Sequence, residues 1–464
     1  MANETEPMLS VDEAQDRVLA AAGQPLPGVV VSLAEALGRV LAERIRSALD
    51  LPPWDNSSMD GFAVHSNDVA GATPAGPVRL SVVGEVQAGG SPDLDVPAGC
   101  AVRIATGARV PASTDAVLPV EQTVVVGPAE ALPPSPASAS PGPDGVLGAA
   151  TAPRTSGFRA AEPVPEACLA TAPVARGEFI RHRGEDVRAG ATVLEPGRRV
   201  GPAQIAMAAA VGAAVMRVHR RPVAGVLSTG DELRSAGQQL GESGIPDANR
   251  PGLLAMCRAA GAETVDLGIA PDSLEAVLGL IRPAMERLDL LIVSGGVSVG
   301  PYDVVRSAFG EVGRVELWRV AVQPGKPFAF GRSEPRTVDG RQVLLFGLPG
   351  NPVSALVTFE LFVKPALQRI SGVTSPTLDS DRAVTEDRLG KASGRRGFLR
   401  VTVARDDLGN PLRDDHGRLR VRHAGGQGSH MLSAMASADA LAIVPESVDR
   451  IEPGGEVEIR WLRT

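Results

Sequence analysis

This sequence of 464 residues has few aromatic side chains, no excess of basic charge and no long apolar run. Aromatic residues make up 3% of it, so the hydrophobic cores must be built mainly from Ala, Val and Leu. The net charge of −8 argues against a general nucleic-acid-binding protein, whose contact surface is basic. No run of 18 apolar residues occurs, which argues against a membrane-spanning helix. We therefore expect neither nucleic acid nor a membrane as a partner.

Cysteine is also rare. Cys100, Cys168 and Cys257 lie far apart and in no spacing typical of a metal site, which indicates reduced thiols. The N-terminal residues 1–7 are acidic and polar, without the basic start and apolar core of a signal peptide. The sequence therefore predicts a cytoplasmic protein.

The stretch at residues 289–303 organises the rest of the chain. Its apolar run, residues 290–293, predicts a strand buried on both faces of a parallel sheet. Ser294, Gly295 and Gly296 follow where the strand should end, and glycine allows a tight turn whose N–H groups approach a ligand. Pro301 is a favoured first helical residue. Strand, turn and helix start together predict an anion site, although an ordinary strand-to-helix turn explains the pattern equally well.

Two further turns share this design. Residues 228–232 and 349–352 also place glycine with hydroxyl, Asp or Asn after an apparent strand. Open α/β sheets bind ligands at that edge, so we expect a phosphate-bearing ligand there. Asp231 and Asp303 are suitable Mg²⁺ ligands, although capping of helix N-termini would explain them too. Lys326, in a Pro-Gly-Lys-Pro turn, is expected to meet a phosphate, the alternative being an exposed lysine.

The order of the patterns predicts several domains, as the chain length also does. Residues 8–47 have helical periodicity, residues 78–126 have β-strand patterns, and residues 127–173 have the Ala/Pro-rich composition of a disordered insertion. From about residue 221 to 372, strands alternate with helices, which indicates a doubly wound, largely parallel sheet. The C-terminal residues return to short β runs. The fold class is thus multidomain α/β plus β, with an N-terminal helical/β region and a small C-terminal β domain.

Several common catalytic arrangements are missing. Neither a Walker P-loop nor a complete Rossmann glycine motif occurs, which argues against the ATPase and dehydrogenase classes. The six histidines are scattered, and no pattern suggests a Ser-His-Asp or Cys-His arrangement.

Taken together, the motifs resemble those of the molybdopterin molybdenumtransferase family, which includes the C-terminal domain of gephyrin. The segments that carry the resemblance are Asp55-Asn-Ser-Ser-Met-Asp-Gly-Phe-Ala, Ile104-Ala-Thr-Gly-Ala, Arg183-Gly-Glu-Asp, Ser228-Thr-Gly-Asp-Glu-Leu, Asp247-Ala-Asn-Arg, Ser294-Gly-Gly-Val-Ser-Val-Gly, Pro324-Gly-Lys-Pro, Gly347-Leu-Pro-Gly-Asn-Pro-Val-Ser-Ala and Gly428-Ser-His-Met-Leu-Ser-Ala-Met-Ala. They cover nearly the whole chain outside residues 127–173. Each motif alone is weak, whereas the set in this order is highly specific.

The resemblance implies the last step of molybdenum cofactor synthesis. In that reaction molybdenum from molybdate joins adenylylated molybdopterin, Mg²⁺ assists, and AMP is released. It also implies an elongated homodimer in which the N-terminal domains of one subunit face the α/β domain of the other, with other cofactor-biosynthesis proteins as further partners. The implied domains are residues 1–50 with 177–217 (N-terminal helical), 51–176 (inserted β), 218–374 (α/β) and 375–464 (C-terminal β).

The resemblance also assigns site residues. The implied catalytic residues are Asp60, Thr106, Glu185, Asp231 and Lys326, with Asp231 and Asp303 on Mg²⁺. Ligand binding is expected from Thr229, Gly230, Asp247, Asn249, Ser294, Gly295, Gly296, Ser298, Gly300, Pro349, Gly350, Asn351 and Pro352. Asp60, Thr106, Glu185 and Asp247 would shape the pterin–molybdate side.

Some positions depart from the family pattern. Gln323 stands where many members have lysine, Arg306 replaces a frequent lysine, and Pro301 replaces an acidic residue, while Phe62 for tyrosine should matter little. We expect the first three departures to bear on substrate affinity or on molybdate–tungstate preference. Two alternatives stay open: a carrier or scaffold that binds molybdopterin without turnover, and a nucleotide pyrophosphate hydrolase.

Overall fold

The computed structural model describes residues 8–91, 93–127, 164–296, 304–336, 339–374 and 380–462. These residues form two compact units: one lies within residues 1–44, 195–205 and 215–464, and the other lies within residues 45–194 and 206–214. The helices are α1 (Val11–Ala22), α2 (Pro202–Ala210), α3 (Asn249–Ala259), α4 (Leu274–Ile281), α5 (Val304–Val312), α6 (Pro352–Thr358), α7 (Lys364–Ile370) and α8 (Leu432–Ala436). None of the helices in the described ranges has the length and apolarity needed to span a bilayer.

A six-stranded sheet forms the centre of the first unit. Its strands are β1 (Val223–Thr229), β2 (Glu263–Ala270), β3 (Leu290–Ser294), β4 (Gly313–Arg319), β5 (Pro327–Ser333) and β6 (Leu344–Leu348). The spatial order is β2-β1-β3-β6-β5-β4. The first four strands of that order run parallel, whereas β5 pairs antiparallel with both β6 and β4. The prediction of a largely parallel α/β sheet is therefore confirmed.

Each central strand is buried on both faces, as its continuous apolar sequence predicts. In β3, Leu290 and Ile292 pack into one core with α1, α3, α6 and α7, while Leu291 and Val293 pack into another with α4 and α5. A π-helical turn, Phe359–Val363, joins α6 to α7. The helices thus cover both faces of the sheet and leave the ends of the strands accessible.

The C-terminal part of the first unit is a small barrel. Strands Arg396–Val403, Leu419–His423, Ser380–Thr385, Glu456–Trp461 and Ala440–Val444 pair in this order, and the last pairs back with the first. A short strand of the α/β region, Val322–Gln323, pairs with Arg396–Val403. Leu389–Gly390 pairs separately with Arg450–Ile451. The predicted C-terminal β region is therefore present.

The N-terminal helical prediction is correct only for α1. Ser10 and Glu13 form the predicted capping box, but the helix ends at Ala22 and strand Gly28–Ser32 follows, paired with Val215–His219. The helical prediction for residues 23–47 was wrong because Pro25 and Pro27 interrupt the helix and the β-branched run after Gly28 suits a strand. The region predicted to be helical within residues 1–50 therefore contains strands as well as α1.

The second unit contains another six-stranded sheet. Its strands, in spatial order, are Ala116–Pro119, Gly61–Val64, Cys100–Ile104, Val78–Val86, Ala167–Ala170 and Thr123–Val126. Short pairs join Asn56–Ser57 to Ile180–Arg181 and Ile45–Arg46 to Thr192–Leu194. A further short pair, Leu233–Arg234 with Ile245–Pro246, belongs to the first unit.

The predicted disordered insertion at residues 127–173 was wrong at its C-terminal end. Ala167–Ala170 is a strand that bridges two others, and its Cys168 is fully buried. Four small or apolar residues gave too short a signal to stand out from the Ala-rich sequence around them. Residues 128–163 of that prediction lie outside the described residues.

Candidate active site

Three of the predicted turns lie at one edge of the α/β sheet. Ser228 of β1 is in register with Ser294 of β3, which is in register with Leu348 of β6, so these parallel strands end side by side. A cavity of about 660 Å³ opens at this edge. Its lining comes from the strand-end turns, the start of α3 and the C-terminal barrel, and comprises Thr229, Gly230, Glu232, Leu233, Ile245, Pro246, Asp247, Ala248, Asn249, Asp272, Ser294, Gly295, Gly296, Pro327, Pro349, Gly350, Asn351, Pro352 and His430.

Glycine is required in the turn after β3. Gly295 and Gly296 have φ values of 98° and 63°, in the left-handed region that favours glycine. A Cβ on Gly295 would lie 2.5 Å from the carbonyl oxygen of Thr229, and one on Gly296 would lie 2.7 Å from Cγ2 of Val305. The two glycines therefore let the β1 and β3 turns approach each other closely.

Two of the turn amides serve the fold. The Gly295 N–H donates to the carbonyl oxygen of Leu348 at 3.1 Å, and the Gly230 N–H donates to that of Ala270 at 3.2 Å. These bonds join each turn to the end of a neighbouring strand. Neither amide is therefore directed at a ligand in this structure, in contrast to the simplest form of the anion-site prediction.

Two unpaired polar atoms point to a ligand instead. The Asn249 side-chain NH₂ donates to Oγ of Ser294 and to the carbonyl oxygen of Gly350, both at 2.8 Å. Its Oδ1 is buried and has no hydrogen-bond partner among the described residues, and the same holds for Oγ1 of Thr229. Buried polar groups normally have partners, so these two atoms indicate where a polar ligand would bind.

Asp247 lines the cavity but its carboxylate is already engaged. It is 3% exposed and accepts hydrogen bonds from Oγ of Ser228 at 3.0 Å and from the Arg250 backbone N–H and Nε at 3.1 and 2.9 Å. Arg250 also pairs with Asp266. Asp247 thus joins the end of β1 to the start of α3 and fixes the wall of the cavity.

Acidic side chains gather at the β1 and β2 ends of the cavity. Asp231 Oδ1 accepts the backbone N–H of Asp272 at 3.2 Å, and Glu232 and Asp272 line the cavity. Partial burial, followed by the negative charges of Asp231 and Glu232, raises the pKa of Asp272. This concentration of negative charge favours binding of a cation. Among the described residues no group of three or more His, Cys, Asp or Glu side chains is arranged so that it could hold a metal ion.

Lys326 lies near two other positively charged side chains, those of Arg319 and Arg395. The positive charge of Arg319, followed by slight burial and the charge of Arg395, lowers the pKa of Lys326. Nε of Arg319 is buried and has no partner within the described ranges. The preceding Gln323 accepts the backbone N–H of Ala392 at 2.7 Å through Oε1, and the following Pro327 lines the cavity. Three cations close together fit a multiply charged oxyanion.

The remaining predicted residues of the described chain lie in the second unit. Asp60 and Thr106 are hydrogen-bonded to each other and join two turns. The Glu185 carboxylate accepts the backbone N–H of His182 at 2.9 Å, within the turn that contains the Arg183-Gly-Glu-Asp motif. In the same turn, Arg183 Nε donates to Asp50 at 2.6 Å.

Some site residues were missed and others lie outside the described residues. Asp272, Glu232 and His430 line the cavity without having been predicted. Asp272 follows the end of β2, a fourth parallel strand, so the strand-end rule could have identified it. The predictions for Ser298, Gly300 and Asp303, and the Pro301 departure, fall on residues 297–303, which are not among the described ones.

Three family models match the chain in succession. They are the MoeA N-terminal region (domain I and II) over residues 9–212, a probable molybdopterin binding domain over residues 225–369, and the MoeA C-terminal region (domain IV) over residues 382–462. The cavity-lining turns after β1, β3 and β6 all fall within the second match.

Full-length relatives share the same organisation. The chain is 36% identical over 458 residues to molybdopterin molybdenumtransferase 2 of Mycobacterium tuberculosis, covering 97% of this chain and 99% of the relative. It is 33% identical over 455 residues to molybdopterin molybdenumtransferase of Haemophilus influenzae, covering 97% and 98%. Among solved structures, the molybdopterin biosynthesis MoeA protein from Pyrococcus horikoshii superposes with a TM-score of 0.74 at 25% identity, covering 98% of this chain and 100% of that one.

Proposed function

The chain belongs to the molybdopterin molybdenumtransferase family of enzymes, and from that premise we propose the reaction and the roles of its residues. The reaction inserts molybdenum from molybdate into adenylylated molybdopterin and releases AMP. The observation that carries the proposal is the cavity of about 660 Å³ at the ends of β1, β3 and β6, inside the molybdopterin-binding match. Ligands of open α/β sheets bind at this edge.

The cavity binds the adenylylated pterin through its polar turns. The unpaired Thr229 hydroxyl donates a hydrogen bond to the ligand or accepts one from it, and Asn249 Oδ1 accepts one, because leaving these atoms unpaired would cost free energy. Ser294, Gly295 and Gly296 allow the phosphates to approach the backbone. Ser298 and Gly300 remain proposed ligand-binding residues from the sequence. On the β6 side, Gly350 and its neighbours Pro349, Asn351 and Pro352 form the opposite border.

Mg²⁺ fits the acidic end of this cavity. The Asp231 carboxylate accepts the backbone N–H of Asp272, and partial burial, followed by the negative charges of Asp231 and Glu232, raises the pKa of Asp272. A divalent cation would neutralise this negative charge. One or two carboxylates with phosphate oxygens and water form a typical Mg²⁺ environment. When bound, the metal would neutralise charge on the phosphoric anhydride. Asp303 remains a proposed ligand from the sequence.

Lys326 holds an oxyanion of the substrates. It lies near Arg319 and Arg395, and this local positive charge suits molybdate or a substrate phosphate. Such charge neutralisation, more than a protein nucleophile, is what cleavage of an anhydride requires. Asp60, Thr106 and Glu185 act on the pterin–molybdate side, contributed by the partner subunit of a homodimer.

AMP release from adenylylated molybdopterin tests the proposal. Wild type with Mg²⁺ should release AMP only when molybdate is present. Asp231→Ala should lower the rate by about 10- to 100-fold and raise the Mg²⁺ concentration needed, the scale expected for a damaged metal environment. Asp407→Ala removes an exposed carboxylate of the barrel and serves as the matched control.

Each other outcome identifies an alternative. AMP release that is indifferent to molybdate would indicate a nucleotide pyrophosphate hydrolase. Tight ligand binding without AMP release would indicate a carrier or scaffold. An Asp231→Ala variant with the wild-type Mg²⁺ dependence would remove Asp231 from the metal site.

A further inference from the structure

A loop of the C-terminal barrel reaches the cavity of the α/β sheet. This loop, residues 424–431, connects strand Leu419–His423 to α8, and its His430 lines the cavity. The other ionisable side chains in the described lining are acidic: Glu232, Asp247 and Asp272. His430 is therefore the one described lining residue whose side chain can become positively charged.

A buried arginine fixes the base of the loop. Arg400 is 1% exposed, and its Nη2 donates to the carbonyl oxygens of Gly426 and Gly428 at 3.1 and 3.2 Å. Gln427 accepts the Arg400 backbone N–H at 2.9 Å and donates to the Arg400 carbonyl oxygen at 3.0 Å. Burial of a guanidinium against carbonyls is costly, and burial lowers the pKa of Arg400. The barrel therefore holds this loop in one conformation through a buried arginine, although burying that side chain costs free energy.

The far end of the loop is bound to the cavity wall. The carbonyl oxygen of Ser429 accepts the backbone N–H of Val353 at 3.1 Å, at the start of α6. Val353 follows the turn of residues 349–352, which forms one border of the cavity. This bond holds Ser429, and with it the backbone of the neighbouring His430, beside the cavity.

The imidazole packs over a glycine. A Cβ on Gly428 would lie 2.9 Å from Cε1 and 3.2 Å from Nδ1 of His430, so any larger residue there would displace the ring. The φ of Gly428 is not in the left-handed region, so its backbone conformation does not itself demand glycine. The absence of a side chain on Gly428 leaves room for the ring in this position.

We propose that His430 is a ligand-recognition residue that donates a hydrogen bond from its imidazole to a phosphate oxygen of the nucleotide in the cavity. The inference rests on the proposed function, which places an adenylylated, anionic ligand beside a lining that is otherwise acidic. An imidazole N–H can donate a hydrogen bond to a phosphate oxygen, and a loop held in one conformation before binding loses little entropy when the ligand binds. The His430 side chain is exposed, so it is the anchored loop that places its imidazole at the cavity.

Calorimetric titration with two probes, AMP and adenosine, tests this in the presence of Mg²⁺. His430→Ala should weaken AMP binding by about tenfold, the scale of a hydrogen bond to a charged group, and leave adenosine binding unchanged. Gly428→Ala should weaken AMP binding in the same direction because it displaces the ring. In a His430→Ala background, Gly428→Ala should add no further loss.

The outcomes separate this inference from the proposed function. AMP binding to His430→Ala within twofold of wild type overturns the inference alone. An equal loss for AMP and adenosine also overturns it, because His430 would then contact the nucleoside. Failure of wild type to bind either probe overturns both the inference and the nucleotide site of the proposed function.

Discussion

The backbone N–H and the hydroxyl of Thr106 both donate to the same oxygen, Oδ1 of Asp60, at 2.7 and 2.8 Å. One carboxylate oxygen thus joins two turns that follow different strands of the second unit. Two roles are therefore possible for Asp60. Holding the two turns together requires only an acceptor oxygen, whereas acting on a ligand requires the negative charge of the carboxylate.

Substitution of Asp60 by Asn should distinguish these roles. The amide oxygen can still accept both hydrogen bonds, so we expect the midpoint of thermal unfolding to stay close to wild type. AMP release should nevertheless fall if the carboxylate charge acts on the substrate. Asp60→Ala and Thr106→Val should each lose about 1 kcal/mol of stability, since they remove acceptor or hydroxyl. Normal AMP release by Asp60→Asn would restrict Asp60 to a structural role.

Adding a methyl group at Gly295 should strongly destabilise the turn after β3. Gly295→Ala combines a φ of 98° with a Cβ 2.5 Å from the Thr229 carbonyl oxygen, so we expect a loss of about 3 kcal/mol and of ligand binding. Gly279→Ala is the matched control, because that glycine lies within α4 and its Cβ would meet nothing within 4 Å. Denaturant unfolding should show the control equal to or more stable than wild type. Equal stabilities for both variants would contradict the close approach of the two turns.

Lys326 should control the molybdate requirement. Lys326→Met leaves Arg319 and Arg395 but removes the third charge, so we expect about a tenfold higher molybdate concentration for half-maximal AMP release. Lys326→Arg should retain much of the affinity. Arg79→Met, an exposed charge loss in the second unit, should leave the molybdate dependence unchanged. A Lys326→Met enzyme with normal molybdate dependence but weaker AMP binding would assign Lys326 to phosphate instead.

We expect the thiols of the two buried cysteines, Cys168 and Cys257, to be unreactive in the folded protein. We also expect their burial to lower the stability of the fold at high pH. Burial raises the pKa of Cys168 and of Cys257 to about 12, from an ordinary value of 9.0. The fold therefore favours the protonated thiols: their contribution to stability is complete below pH 9.0 and declines as pH rises toward 12.

Thiol titration and alkaline unfolding measure this effect. At pH 8 a disulfide reagent should react with native protein at partly exposed Cys100 alone, and with all three cysteines after unfolding. Replacement of both buried cysteines by Ala should flatten the decline in melting temperature above pH 9.0. Rapid native reaction of three thiols would contradict the burial.

The α/β sheet was predictable because its strands are buried on both faces and end in glycine turns. That rule located the turns at Gly230, Gly295 and Gly350, and applied to β2 it would also have found Asp272. Local periodicity failed for residues 23–47, where Gly28–Ser32 forms a strand through its pairing with Val215–His219. His430 lies far from the sheet in sequence, so no local pattern could place it at the cavity.

Gln323 illustrates the limit of comparing residues by charge. The sequence suggested only a lost positive charge at this position. In the structure its Oε1 accepts the Ala392 N–H, a role that a lysine side chain cannot perform because it has no acceptor. The departure thus brings an additional tie to the C-terminal barrel.

The short strand Val322–Gln323 has a consequence for modularity. It pairs with the barrel strand Arg396–Val403 just before the Lys326 turn, and the Ser429 carbonyl oxygen binds Val353 on the other side of the cavity. A shortened gene product ending before residue 380 would retain the full α/β sequence yet lose both supports. The boundary between the second and third sequence matches is therefore crossed by both contacts, and replacing the barrel alone would remove them.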